Sequence, residues 1–236
     1  MIPRSWSWDP AALAAAGVAI ALYAQAFVRL RRRSPRFVGI RNAALFLSGV
    51  VLGTLAVVSP LNALAEDTLL SAHMAQHLLI GDLAPLLLVL GARGPSCVFL
   101  LPAPILRPLA RSRLRTVVEV LLRPAVSFAV WAVALAAWHV PRAYDLALDH
   151  PAVHVLEHAS LFLGGLLLWI QIVYPARRHR LSPGRRAAFA AAGLTYASDQ
   201  SRATLLMMLE EAATLGVAAA LLLWNHVERL ERSLAT

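Results

Sequence analysis

The sequence predicts an all-α, polytopic membrane protein with about seven transmembrane helices, its N-terminus outside and its C-terminus in the cytoplasm. Three observations carry that expectation. Of the 236 residues, 59% are hydrophobic and the mean hydropathy is positive, more apolar than a soluble domain tolerates. The apolar residues gather in runs of about 20, enough helix to cross a hydrocarbon core of ~30 Å. The arginines fall in the gaps between those runs. One transmembrane helical domain over residues 1–236 is expected, with no internal repeat and no second soluble domain.

In chain order, spans are expected near residues 10–30, 38–59, 72–92, 124–140, 154–174, 185–203 and 205–226. The fourth is short, and the last two share a tight turn. Only Arg4 precedes the first run while an arginine cluster follows it, the reverse of a cleaved secretory signal, so a retained helix is expected. Trp6 and Trp8 before that span, and Trp138 near the outer end of the fourth, fit interfacial anchors. In the second span, Gly49 and Gly53 have the small-xxx-small spacing that lets helices pack closely.

Between the third and fourth spans, Leu114, Val117, Val118, Leu121 and Leu122 form an apolar stripe at helical spacing, with Arg111, Arg115 and Glu119 on another face. The segment near 104–123 therefore reads as an amphipathic helix on the cytoplasmic leaflet, where arginines meet anionic lipid headgroups; a solvated connection is the plainer reading.

The formal net charge is +9, and every one of the 22 basic residues is arginine. Nucleic-acid binding is excluded as a class because the arginines are not clustered on one face with aromatics between them. All but Arg4, Arg142 and Arg202 fall in alternate gaps and on the tail, which sets the orientation by the positive-inside rule. The single Cys97 rules out an internal disulfide and a cysteine metal site within one chain.

With that topology the histidines sort themselves. Of the eight, only His179 and His226 are cytoplasmic; His73, His77, His139, His150, His154 and His158 gather at the outer ends of spans three, four and five or in the loop between the last two. His73 and His77 lie on one helix face, roughly 6 Å apart along the axis, and His154 and His158 repeat that spacing on another helix. His139 approaches from a third. A lone histidine at a helix end commonly bonds a neighbour or sits among headgroups. Two paired sets at one depth point instead to a metal or cofactor, because polar groups in a membrane tend to face the bundle interior. Imidazole suits Cu, Zn, Fe or Ni; Met74, Met207 and Met208 near the same level would tilt the choice toward Cu(I). His150, after Asp149, reads as interfacial.

The acids divide similarly. Glu66, Asp67, Asp145 and Asp149 are expected in outer loops, either gathering cations or simply solvated. Glu157 stands next to His158 and is expected to orient an imidazole from behind. Asp82 lies about 7.5 Å deeper than His77 and about 140° around the helix. Pro85 cannot donate to the Gly81 carbonyl, so a kink is expected beside Asp82, which reads either as a second ion position or as a hydrogen-bonded acid holding helices together. Asp199, Glu210 and Glu211 are acids near the last hairpin, with Arg202 as their ion-pair partner.

His73-Met74-Ala75-Gln76-His77 followed by Leu86 to Gly91, Trp138-His139-Val140-Pro141 with Tyr144-Asp145, His154-Val155-Leu156-Glu157-His158, and Asp199-Gln200 with Met207 together resemble the CtaG-type cytochrome c oxidase assembly factors. The resemblance runs from about residue 40 to 225. It implies a bacterial seven-helix protein of the cytoplasmic membrane, linked to formation of caa-type terminal oxidases and associated with copper handling. By position it carries over the paired histidines His73, His77, His154 and His158, the Trp-His-Pro type motif at His139, and the Asp-Gln pair at Asp199 and Gln200. After that pair the chain departs from the expected glycine-rich, Trp-containing stretch, with Arg202, Ala203 and Thr204 instead.

The reading that combines residues and resemblance is a non-enzymatic assembly factor. It would bind copper at an outward-facing site of His73, His77, His154, His158 and His139, with Glu157, Asp82, Asp199, Gln200 and Met207 as supporting or ion-path residues. Its expected partners are a terminal oxidase subunit, membrane lipid and a periplasmic copper donor. The alternatives are a copper permease, with Asp82 and the Pro85 kink continuing the path inward, and a b-type haem protein with axial histidines from opposing helices.

Overall fold

A computed structural model of the chain describes residues 6–33, 39–67, 70–92, 100–173 and 182–197. Within them every regular element is helical: α1 (Pro10–Arg33), α2 (Ile40–Val58), α3 (Pro60–Asp67), α4 (Leu70–Leu78), a π-helical turn (Leu79–Leu83), α5 (Ala84–Gly91), α6 (Ala103–Arg111), α7 (Leu114–Leu121), α8 (Pro124–Trp138), α9 (Pro141–Asp149), α10 (Pro151–Val173) and α11 (Pro183–Ala197). Six of these begin on proline, whose fixed φ suits the first helical position and whose missing N–H would have had no helical partner there.

Four helices are long and apolar enough to cross a membrane: Pro10–Arg32, Ile40–Val58, Ser71–Gly91 and Pro151–Val173. A fifth span is added if α7 and α8, bent by 81°, are taken together. α11, 15 residues long, overlaps the sixth expected span but is not among these candidate spans; the seventh lies outside the described residues, as do Asp199, Gln200 and Met207. Two segments expected as outer loops are helices, α3 and α9. Each is shorter than three turns and starts on a proline, too brief for hydrophobic periodicity to reveal.

The rod formed by α4, the π turn and α5 is the most enclosed span and lies between α2 and α10; α1 packs on α2, and α8 on α10. A Cβ at Gly49 would stand 3.0 Å from the Ala84 carbonyl oxygen and 3.0 Å from the Leu88 nitrogen, so this glycine sets how closely α2 approaches α5. Gly53, one turn on, faces the Ala84 side chain. On the other side, Trp169, Leu168 and Ile172 of α10 bury against Trp131 of α8 and Val89 of α5.

Pro85 acts as the sequence requires, but the outcome is a widened turn within one continuous span rather than a break. The π turn ends just before Pro85, and the Gly81 carbonyl that proline cannot serve faces Gly165 of α10. Any Cβ at Gly165 would collide with that carbonyl. At the same end as the arginines, the Arg186 guanidinium donates to the Ile172 carbonyl and, at 3.1 Å, to that of Val173, serving the last carbonyls of α10. α6 and α7 carry the arginines of the expected surface segment, and no residue of α7 is buried.

Candidate metal centre

At the end of the bundle away from those arginines, α4 and α10 face each other with their first turns at one level. On α4 the pair is His73 and His77, with ring centroids 4.2 Å apart. On α10 it is His154 and His158, also 4.2 Å apart. Across the gap, His73 is 6.0 Å from His154 and His77 is 5.4 Å from His158, so the four rings form one cluster. The i,i+4 spacing on two helices produces it, because each helix presents that spacing on a single face.

Glu157 belongs to the cluster itself. Its Oε1 is 3.5 Å from His77 Nε2 and 4.0 Å from His73 Nε2, and ligand atoms of these three residues lie within 4.8 Å of one another. His73 and Glu157 are fully buried and His77 is 3% exposed. Among the described residues, neither Glu157 oxygen and no Nε2 of His73, His77 or His158 has a hydrogen bond. Buried polar atoms of this kind are ordinarily paired, so their convergence suits a cation. The sequence predicts that Glu157 orients an imidazole from behind; in the structure its Oε1 faces Nε2 of His73 and His77 on the opposite helix.

His139, just past the end of α8, directs Nδ1 at the Leu135 carbonyl at 2.6 Å. A carbonyl only accepts, so Nδ1 holds the proton and Nε2 keeps its lone pair. His139 stands in the neighbourhood of His73 and His77. His150 is exposed, and its carbonyl accepts from Val153 and His154 at the start of α10.

Asp82 is not part of the cluster. Its Oδ1 accepts from Trp169 Nε1 at 2.5 Å, joining the π turn to α10 at a deeper level. Of the expected outer acids, Asp145 and Asp149 are exposed on α9.

Three neighbours escaped the sequence reading as site residues. Tyr144 of α9 sets its ring edge-on against His73, 5.3 Å between centroids. Burial, and then the Glu157 and Asp145 carboxylates, push its phenol above the ordinary value, so it remains a protonated donor at neutral pH. Gln76, fully buried, donates to the Ala56 carbonyl at 2.9 Å and to Asn62 Oδ1 at 2.6 Å, fixing α4 to α2 and α3. Trp138 donates to Ser160 Oγ at 2.7 Å, and Ser160 donates to the Glu157 carbonyl, which secures α8 to the site turn of α10. Tyr144 and Gln76 both stand inside motifs that the sequence displays, but a single tyrosine or glutamine carries no spacing signal.

A cavity of about 410 Å³ adjoins the cluster, with Ser7, Asp9, Asn62, Leu148, His154 and His158 in its walls. The α10 pair thus borders both the cavity and the site, whereas His73, His77 and Glu157 lie behind it.

The family model described as cytochrome c oxidase caa3 assembly factor (Caa3_CtaG) matches residues 21–209. No curated protein and no solved structure matches the chain.

Proposed function

This chain belongs to the family of cytochrome c oxidase caa3 assembly factors, and on that premise we propose that it binds copper as cargo between α4 and α10 and passes it to a terminal oxidase. The observation that carries this reading is the convergence of four imidazoles and a carboxylate, with His73, His77 and Glu157 buried and His154 and His158 at the cavity wall. Imidazole nitrogen is a good donor for copper. His73, His77, His154 and His158 hold the ion, and His139, already in the tautomer that leaves Nε2 free to bind, lies beside them.

In this reading the protein is not an enzyme. It resides in the bacterial cytoplasmic membrane with the histidine end outward, an orientation supported by the arginines of α1, α6, α7 and α11 at the opposite end. Copper arrives from a periplasmic donor and reaches the cluster through the cavity that His154 and His158 border; a partner withdraws it by ligand exchange along the same route. Cells lacking the protein, complemented with the chain carrying His73→Ala and His77→Ala, test the proposal. The expected result is terminal oxidase polypeptide present at a normal level but poor in copper, with recovery when copper is supplied in excess. Copper-replete oxidase in the variant strain would contradict it.

A further inference from the structure

The paired histidines explain why a metal would bind here, but not why a carboxylate is sealed among them. Glu157 is fully buried, and in α10 it sits at positions three after His154 and one before His158, on the face turned to α4. Among the described residues, its only groups at ion-pair distance are His73 and His77. An anionic oxygen removed from water with no hydrogen bond is expensive, by several kcal/mol in general, unless a cation stands against it. An outer role, steadying an imidazole from behind, would have Glu157 bonded to a ring nitrogen turned away from the ion. Instead its oxygen approaches the same Nε2 atoms that are aimed into the cluster.

We propose that Glu157 coordinates the ion directly, and that the centre therefore takes a divalent ion of the Cu(II) and Zn(II) class in preference to Cu(I). This rests on the cluster being a metal site, as argued above, and adds the ligand and charge class. A mixed imidazole and carboxylate donor set is borderline to hard, whereas Cu(I) favours soft sulfur donors. A single carboxylate also compensates a divalent charge better than any number of neutral imidazoles. The ion enters from the cavity side, past His154 and His158, and Glu157 closes the coordination from within.

The test uses the full chain purified in detergent, as wild type and as Glu157→Gln, titrated separately with Cu(II), Zn(II) and Cu(I). The wild type should bind Cu(II) and Zn(II) more tightly than Cu(I). Glu157→Gln, which keeps the shape and loses the charge, should weaken both divalent ions by at least about tenfold and weaken Cu(I) distinctly less. Divalent binding by Glu157→Gln equal to wild type, or a wild type that prefers Cu(I), overturns the proposal. If the variant does not fold, the infrared difference spectrum of the wild type on adding Zn(II) decides: a shift of a buried carboxyl band supports coordination by Glu157, and its absence overturns it. Zn(II) binding that needs Glu157 without any copper binding would support the carboxylate ligand while refuting copper as the cargo. No binding of any of the three ions would refute both.

Discussion

A carboxylate shut away from water is stable with a proton or with a cation, and the fate of Glu157 decides what the cluster around it can do. Other residues report on packing alone. Asp82 accepts from the Trp169 indole, and that bond ties the π turn to α10. Trp169→Phe removes the donor from a buried acid and should destabilise the fold by about 1–3 kcal/mol in a denaturation measurement, with copper stoichiometry unchanged. Gly165 has the Gly81 carbonyl where a side chain would begin. Gly165→Ala should therefore cost about 1–3 kcal/mol in the same assay, because neither backbone can retreat within a packed helix pair. Glu119→Gln is the control: its pair with Arg115 is solvent-exposed, and its loss should change stability by less than about 0.5 kcal/mol.

At the level of elements, long apolar runs were legible in the sequence and short helices were not. Ile40–Val58, Ser71–Gly91 and Pro151–Val173 follow the expected spans closely, because a run of membrane length admits little other than helix. α3 and α9 lie where the sequence predicts loops, since eight or nine polar-mixed residues give periodicity no room to show. The site was half legible. Histidines spaced by four announce a helix face, so His73 with His77 and His154 with His158 could be paired in advance. That α4 and α10 are neighbours, and that Glu157 looks across at the other helix, depends on Gly165 letting its backbone meet the Gly81 carbonyl, which spacing within one helix cannot encode. Pro85 announced a disturbed helix correctly, but whether the chain kinks or absorbs the proline in a π turn is settled by the neighbouring backbone.

For the molecule as a whole, the histidine cluster at one end and the arginines at the other make a polarity that can be measured. With Cys97 replaced by serine, a cysteine introduced at Asp149 should react with a membrane-impermeant thiol reagent in intact cells. One introduced at Arg113 should react only after the membrane is opened; the reverse pattern would invert the orientation. Asp82 is held by Trp169 and stands apart from the cluster, and in the proposed reading the ion is delivered at the outer face without passing inward. Reconstituted vesicles should accordingly take up no copper beyond protein-free controls. The most direct measurement is elemental analysis of the purified full chain after copper loading and removal of excess ion. The wild type should retain copper in stoichiometric amount with the chain, and His73→Ala combined with His77→Ala should retain almost none. Equal copper in the two would contradict the assignment of the cluster as the binding site.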